Sequence, residues 1–413
     1  MATVRPFRAV RPEKRYAEQV ASLPYDVMSR EEAAGMASGK PYSFLHISRS
    51  EIDLPPHEDP YSAVVYEKGR ENLAALIKEG ALIREEKPMF YIYRQAMGGR
   101  EQTGLVCCVA VDEYIDGTIK KHELTRIEKE LDRINHFDVC NANTEPVFLA
   151  YRDDKRIRSL VEGFVSNHEA EYDFKLPDGV RHILWRAPED YFINSVCGLF
   201  KETPALYIAD GHHRSAAACK AGIKRRGQNP GYGGGEEFNF FMAVVFPDTD
   251  LKIFDYNRTV KDLNGMTAEG FVEALESAGI DVEKKGRSVC RPDRKHVFGM
   301  FLEGNWYKLS LPASMVPDGA IESLDVSVLQ NTVLGPLLGI GDPRTDKRID
   351  FIGGIRGLEE LEKRVNEDMK VAFAVYPVEI EDLFKVADSG EIMPPKSTWF
   401  EPKLGSGLFV HEL

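Results

Sequence analysis

The segment Asp210-Gly211-His212-His213-Arg214 concentrates residue types that bind and move phosphate. An apolar run, Leu206-Tyr207-Ile208-Ala209, leads into it as a strand, and a helix is expected to start at His212. The first turn of a helix carries unpaired N–H groups and the positive end of the dipole, which together attract anions. Gly211 lets the backbone approach a phosphate closely, and Arg214 adds a planar, permanently charged clamp. His212 and His213 can donate hydrogen bonds or carry a proton near neutral pH. Asp210 can orient a histidine or hold a metal. The residue types leave one alternative open: an ordinary capped helix with solvated histidines.

A second group lies in His122-Glu123-Leu124-Thr125-Arg126 and the residues that follow. His122, Arg126, Lys129, Arg133 and His136 recur at 4-3-4-3 spacing, which places them on one face of a helix. Such a row suits a triphosphate or a carboxylate. A solvated face neutralised by Glu123, Glu130 and Asp132 fits the same spacing. A third group is Met393-Pro394-Pro395-Lys396-Ser397-Thr398, where the prolines stiffen a turn that presents Lys396 and two hydroxyls. No glycine-rich loop precedes it, so it is no Walker motif. Gly353-Gly354, after an apolar run at Ile349–Ile352, offers either a phosphate cradle or a tight turn.

The elements that must position these groups follow from periodicity. Met89–Arg94 and Gly104–Val111 flank Gly98-Gly99 and predict a hairpin. A helix is predicted over Glu123–His136, with Leu124, Ile127, Leu131 and Ile134 as its buried stripe. Alternation then sets in: strand Val147–Tyr151, helix Lys155–Asn167, strand His182–Trp185, helix Pro188–Phe200, strand Ala205–Ala209 and helix His212–Gly222. This order predicts an α/β chain of mixed α+β character. Phe238–Phe246 and Leu251–Tyr256 read as a further hairpin, and a domain boundary is placed near Asp262, giving regions 1–262 and 263–413. The second region reads as a mixed sheet that completes the site.

The chain has 413 residues, 43% hydrophobic and 29% charged, with net charge −13, the balance of a folded protein of two or three domains. That charge opposes a polyanion as main partner, so nucleic acid is not expected and a small anion is. No apolar run approaches the roughly 20 residues that span a bilayer, and a cytoplasmic location is expected. The six cysteines show neither a Cys-x-x-Cys pair nor metal-ligand spacing with histidine.

Arg5-Pro6-Phe7-Arg8-Ala9-Val10-Arg11-Pro12, Pro24-Tyr25-Asp26-Val27, His122-Glu123-Leu124-Thr125, Asp210-Gly211-His212-His213-Arg214 and Met393-Pro394-Pro395-Lys396-Ser397-Thr398 together resemble the domain of unknown function 1015 family. The Asp-Gly-His-His-Arg block also resembles the phosphate motif of the ParB/sulfiredoxin-like superfamily, which includes the free serine kinases. That resemblance implies a ParB/sulfiredoxin-like phosphate-binding core, with nucleotide held at Gly211, His212, His213 and Arg214. His122, Arg126, Arg133, Lys396, Ser397 and Thr398 are further candidates for phosphate contacts. It also implies ATP or ADP as donor with Mg²⁺, and transfer to a small hydroxylated metabolite such as L-serine. A carboxylate base belongs to such a reaction, and Asp26 and Glu123 are the candidates, with His213 as a further catalytic group. A nucleotide or phosphoester hydrolase and a non-catalytic nucleotide sensor or ParB-like regulator remain the alternatives.

Overall fold

The computed structural model describes residues Met1–Leu413, which divide into two compact units. The first unit comprises Met1–Leu251 and Pro402–Leu413, and the second Lys252–Glu401.

The first unit is built on a nine-stranded mixed sheet. Its order runs Ile119–Lys120, Leu206–Asp210, Val147–Tyr151, Phe240–Pro247, Arg100–Ala110, Phe90–Met97, Arg181–Ala187 and Tyr172–Lys175, with Val4–Arg5 alongside Arg100–Ala110. Two pairs are parallel, Leu206–Asp210 with Ile119–Lys120 and Phe240–Pro247 with Val147–Tyr151; the rest are antiparallel. The alternating strand and helix signals are realised closely here: the strand Val147–Tyr151 and the helix Lys155–Asn167 have the expected bounds. One core holds Phe164, Phe192 and Phe200 from two helices against Val147, Leu149, Val245 and Ile208 of the sheet. Burial of each such large side chain contributes about 1.5–3 kcal/mol.

Three expectations need correction. The helix expected from Glu123 begins only at Ile127 and runs to Cys140, and its burial is inverted. Leu124, Ile127 and Leu131 are exposed, while Glu130, Asp132, Arg133, His136, Phe137 and Cys140 are buried. Periodicity fixes which residues share a face but not which face turns inward, and here the polar row finds buried partners. Phe238–Phe246 and Leu251–Tyr256 do not form a hairpin. Phe240–Pro247 belongs to the nine-stranded sheet, whereas Ile253–Phe254 pairs with Trp399–Phe400 in the second unit. The chain therefore changes unit at Leu251, and Tyr256–Val260, just before Asp262, lies inside the second sheet. Third, the last residues do not continue the second region: His411–Glu412 pairs with Ala142–Asn143, and Val410 bridges Val10.

The second unit holds a six-stranded sheet, antiparallel throughout, in the order Asp281–Gly286, Asn305–Ser310, Val297–Leu302, Val371–Ala374, Tyr256–Val260 and Ile349–Gly353. Phe271, Leu275, Phe298, Met300, Leu329 and Phe373 share its core. No helix is long and apolar enough to cross a membrane.

Candidate functional site

The strand Leu206–Asp210 ends in Gly211 at φ +93°, a left-handed conformation that L side chains rarely adopt, and the helix His212–Gln228 starts at once. No side chain caps this helix, so the capped-helix alternative has no cap to rest on. Arg214 folds back over the turn. A Cβ on Gly211 would stand 3.0 Å from Arg214 Nε, so glycine is needed for close approach as well as for φ. The guanidinium is buried and fixed at two corners: Nη2 donates to Asp210 Oδ2 at 2.8 Å and Nη1 to the Pro146 carbonyl at 2.5 Å. Its Nε has no hydrogen-bond partner. A buried donor left unpaired costs about 1–3 kcal/mol, and this N–H lies beside the uncapped start of the helix.

Asp210 is shared between two cations, Arg214 and Lys403, whose Nζ lies 3.4 Å from Asp210 Oδ1. Burial alone would raise its carboxyl, but Lys403 and Arg214 outweigh that and hold it at about 2. Asp210 is therefore an orienting carboxylate, permanently charged.

Both histidines of the motif accept hydrogen bonds at Nε2. His212 Nε2 receives the His122 amide at 3.4 Å, and His213 Nε2 receives the Arg126 amide at 3.1 Å. An imidazole that accepts at Nε2 is neutral and carries its proton on Nδ1. Burial, the largest cause in each case, lowers the pKa of His212, His213 and His122, the last to about 4. His212 Nδ1 faces Glu123 Oε2 at 3.8 Å, and its ring meets His122 edge-on at 4.5 Å between centroids. These imidazoles tie the 122–126 segment to the Gly211 turn and present Nδ1–H as a donor. That geometry makes His213 a donor rather than a base.

Asp26 sits in the short 3-10 helix Tyr25–Val27 and is solvent-exposed. Its charge is the strongest acting on both His213 and Arg214. Tyr25 is buried beneath Arg133, whose guanidinium carbon lies 4.1 Å from the ring centroid. Arg133 pairs with Asp132 at 2.9 Å, Tyr66 OH donates to the same Asp132 at 3.0 Å, and Arg133 Nη1 is buried with no partner.

The structure thus brings Asp26, His122, Glu123, Asp210, Gly211, His212, His213 and Arg214 together, with Arg133 joining through Tyr25. The cationic row does not act as one face. The Arg126 side chain points to solvent beside Glu128, and His136 is spent on the Ile47 carbonyl at 3.1 Å. Lys396, Ser397 and Thr398 belong to the second unit. There the Lys396 carbonyl accepts from Arg258, its ammonium covers the Tyr256 ring, and Ser397 Oγ donates to the Pro394 carbonyl at 2.7 Å. Gly353-Gly354 is explained by packing: side chains there would meet Trp399 at 2.9 Å and Asp255 at 2.3 Å.

Three functional candidates carry no local sequence signal that singles them out. Glu145 is buried, its carboxyl raised by burial against the opposing pull of Arg214 and Arg133. It accepts from Ser406 Oγ at 2.7 Å and from the Tyr25 amide at 3.4 Å. Lys403 and Ser406 arrive from the returning C-terminal segment. Only Pro146 after Glu145, forcing an extended backbone, hinted at the first.

No group of three or more His, Cys, Asp or Glu side chains converges to hold a metal. The residues present therefore do not form a resident Mg²⁺ cage; a Mg²⁺ ion that accompanies a nucleotide takes most of its ligands from the phosphates and water.

A family model described as "protein of unknown function (DUF1015)" matches residues 4–327. The chain belongs to this family. No curated protein matches it. Among solved structures, a free serine kinase in complex with AMP aligns over 73% of this chain and 92% of its own, at 15% identity and TM-score 0.35. A mutant free serine kinase in complex with ADP aligns over the same shares at 17% identity and TM-score 0.35. SbnI from Staphylococcus aureus, with a C-terminal truncation, aligns over 74% of this chain and 87% of its own at 11% identity and TM-score 0.37.

Proposed function

We propose that the first unit is a nucleotide-dependent phosphotransferase acting on a small hydroxylated metabolite, with L-serine the first acceptor to test. The observation that carries this reading is the buried, unpartnered Nε of Arg214 beside the left-handed Gly211 and an uncapped helix start. Phosphoryl transfer asks the protein for charge neutralisation and positioning more than for covalent chemistry. Arg214 Nε, the first amides of the helix His212–Gln228 and His213 Nδ1–H meet the phosphate oxygens. Asp210 and the Pro146 carbonyl hold the guanidinium in that pose.

The acceptor hydroxyl oxygen attacks the terminal phosphorus, a new O–P bond forms, and the bridging P–O bond breaks to release the shortened nucleotide. The hydroxyl proton passes to a carboxylate. Asp26 is assigned this role because it is exposed and electrostatically coupled to Arg214 and His213. Glu123, drawn toward His212, is a positioning residue. Glu145, buried with its carboxyl raised, stabilises the Tyr25–Arg133 side of the pocket.

The test is direct. Purified protein with Mg²⁺, L-serine and either ATP or ADP is expected to form O-phosphoserine, read by phosphorus NMR. No phosphoester with either donor sinks the kinase reading. Water can also reach the exposed Asp26, and inorganic phosphate released without an acceptor would favour the hydrolase.

A further inference from the structure

The second unit contains a cavity of about 250 Å³ that the nucleotide reading does not use. All its walls come from Lys252–Glu401. Arg258 lies at one side, on the central strand Tyr256–Val260, and is buried. Its guanidinium makes no ion pair. Nη1 donates to the Tyr256 carbonyl and Nη2 to the Lys396 carbonyl at 3.1 Å, and its carbon lies 5.4 Å from the Phe351 ring centroid. A buried guanidinium without a counter-charge is expensive, since charges leave water readily only when paired. Burial accordingly draws the Arg258 pKa down to about 10, against the rise seen for Arg214 among its carboxylates.

A second observation points to the same space. Ser327 lines the cavity, and its buried hydroxyl has no hydrogen-bond partner. It stands on the helix Asp325–Leu329, which runs on into a π-helical turn, Gln330–Leu334, where the Gly335 amide reaches back to the Gln330 carbonyl at 2.8 Å. Such turns cost backbone stability and recur at binding sites. Gln330 itself lines the cavity and is anchored to the Ile340 carbonyl at 2.7 Å. The other walls are largely apolar, among them Ile321, Val326, Ile349 and Pro394. Glu322, the one acid in the lining, is exposed and exerts no marked charge on Arg258.

We infer that this cavity binds a small monocarboxylate with a branched apolar body, its carboxylate bridging Arg258 and Ser327. One cation matches one negative charge, and a phosphate dianion would leave a charge uncompensated. This site is independent of the nucleotide proposal.

The experiment titrates the full chain, without nucleotide, with 4-methylpentanoate, its neutral amide and inorganic phosphate, followed calorimetrically and by melting temperature. The acid is expected to bind and to raise the melting temperature. The amide, equal in shape but uncharged, is expected to bind about 10- to 100-fold more weakly, the range of a charge-assisted hydrogen bond. Arg258→Gln should abolish the difference between acid and amide. Because Arg258 sits in a central strand and its variant can fail to fold, Ser327→Ala serves as the second variant, with an expected loss of about 2- to 10-fold. Equal binding of acid and amide, preference for phosphate, or no binding by any probe overturns the inference.

Discussion

The two units each bury an arginine, and the two are solved in opposite ways. In the first, Arg214 is surrounded by Asp210, Asp26 and Glu145, which together raise its pKa despite full burial. In the second, Arg258 has only carbonyl oxygens, and its pKa falls. The first arrangement holds a guanidinium in place and leaves its buried Nε without a partner. The second leaves the whole charge uncompensated. A buried cation with its own carboxylates is held in one pose; one with only carbonyl partners keeps its full charge to offer an acid.

Substitutions test this contrast. The largest effect is expected at Asp26→Asn, which keeps shape but removes the proton acceptor. Turnover should fall by about 10²–10⁴-fold, while nucleotide affinity changes little. Equal losses in affinity and turnover would instead make Asp26 a binding group.

Arg214→Ala should weaken nucleotide binding by about 1.5–3 kcal/mol, because it deletes a charged donor. Asp210 keeps Lys403 as partner, so the fold should persist. A melting temperature that collapses with unchanged affinity would give Arg214 a structural role only.

Gly211→Ala separates backbone from side chain. It places a methyl against Arg214 and forces a left-handed L residue, at a cost of about 1–2 kcal/mol. Binding and melting temperature should drop together. Unchanged binding would show that the turn does not face the ligand.

The prediction that compares the two units side by side is their opposite response to acid. His122, His136 and His182 are held by burial at about 4, whereas an unfolded histidine titrates near 6.5. Below pH 6.5 the unfolded chain takes up protons that the folded first unit refuses. Its stability is therefore full above that value and declines toward pH 4, by at most about 1.4 kcal/mol per pH unit per histidine. In the second unit burial raises Asp325 to about 7, so its folded form holds a proton that the unfolded chain sheds near 3.9. That contribution is present at low pH and is lost as pH rises toward 7. Hydrogen exchange between pH 7 and 5, corrected for intrinsic rates, should show opening of the first unit becoming easier on acidification and that of the second harder. Parallel changes in both would refute the assigned burial.

Much of the fold was legible because local signals were strong. The strand into Asp210-Gly211 and the helix after it announced themselves by an apolar run, a glycine and a change of period. The stripe of Leu124, Ile127 and Leu131 misled because amphipathic spacing is symmetric between inside and outside. It is the buried partners Tyr66, Tyr25 and Ile47 that decide for the polar face. Glu145, Lys403 and Ser406 were illegible for another reason. Their contacts join residues hundreds of positions apart, such as Ser406 with Glu145 and Lys403 with Asp210, and no local pattern encodes such closure. The Arg258–Ser327 cavity was invisible for the same reason.

The proposed function requires the Gly211 turn and Arg214 to act as an anion cradle. Calorimetric titration of ADP into the wild-type chain and into Arg214→Ala, with the fold of each checked by melting, tests it most directly. The cradle predicts saturable binding to the wild type and at least a tenfold weaker affinity in the folded variant. Indistinguishable affinities in two folded proteins would contradict it.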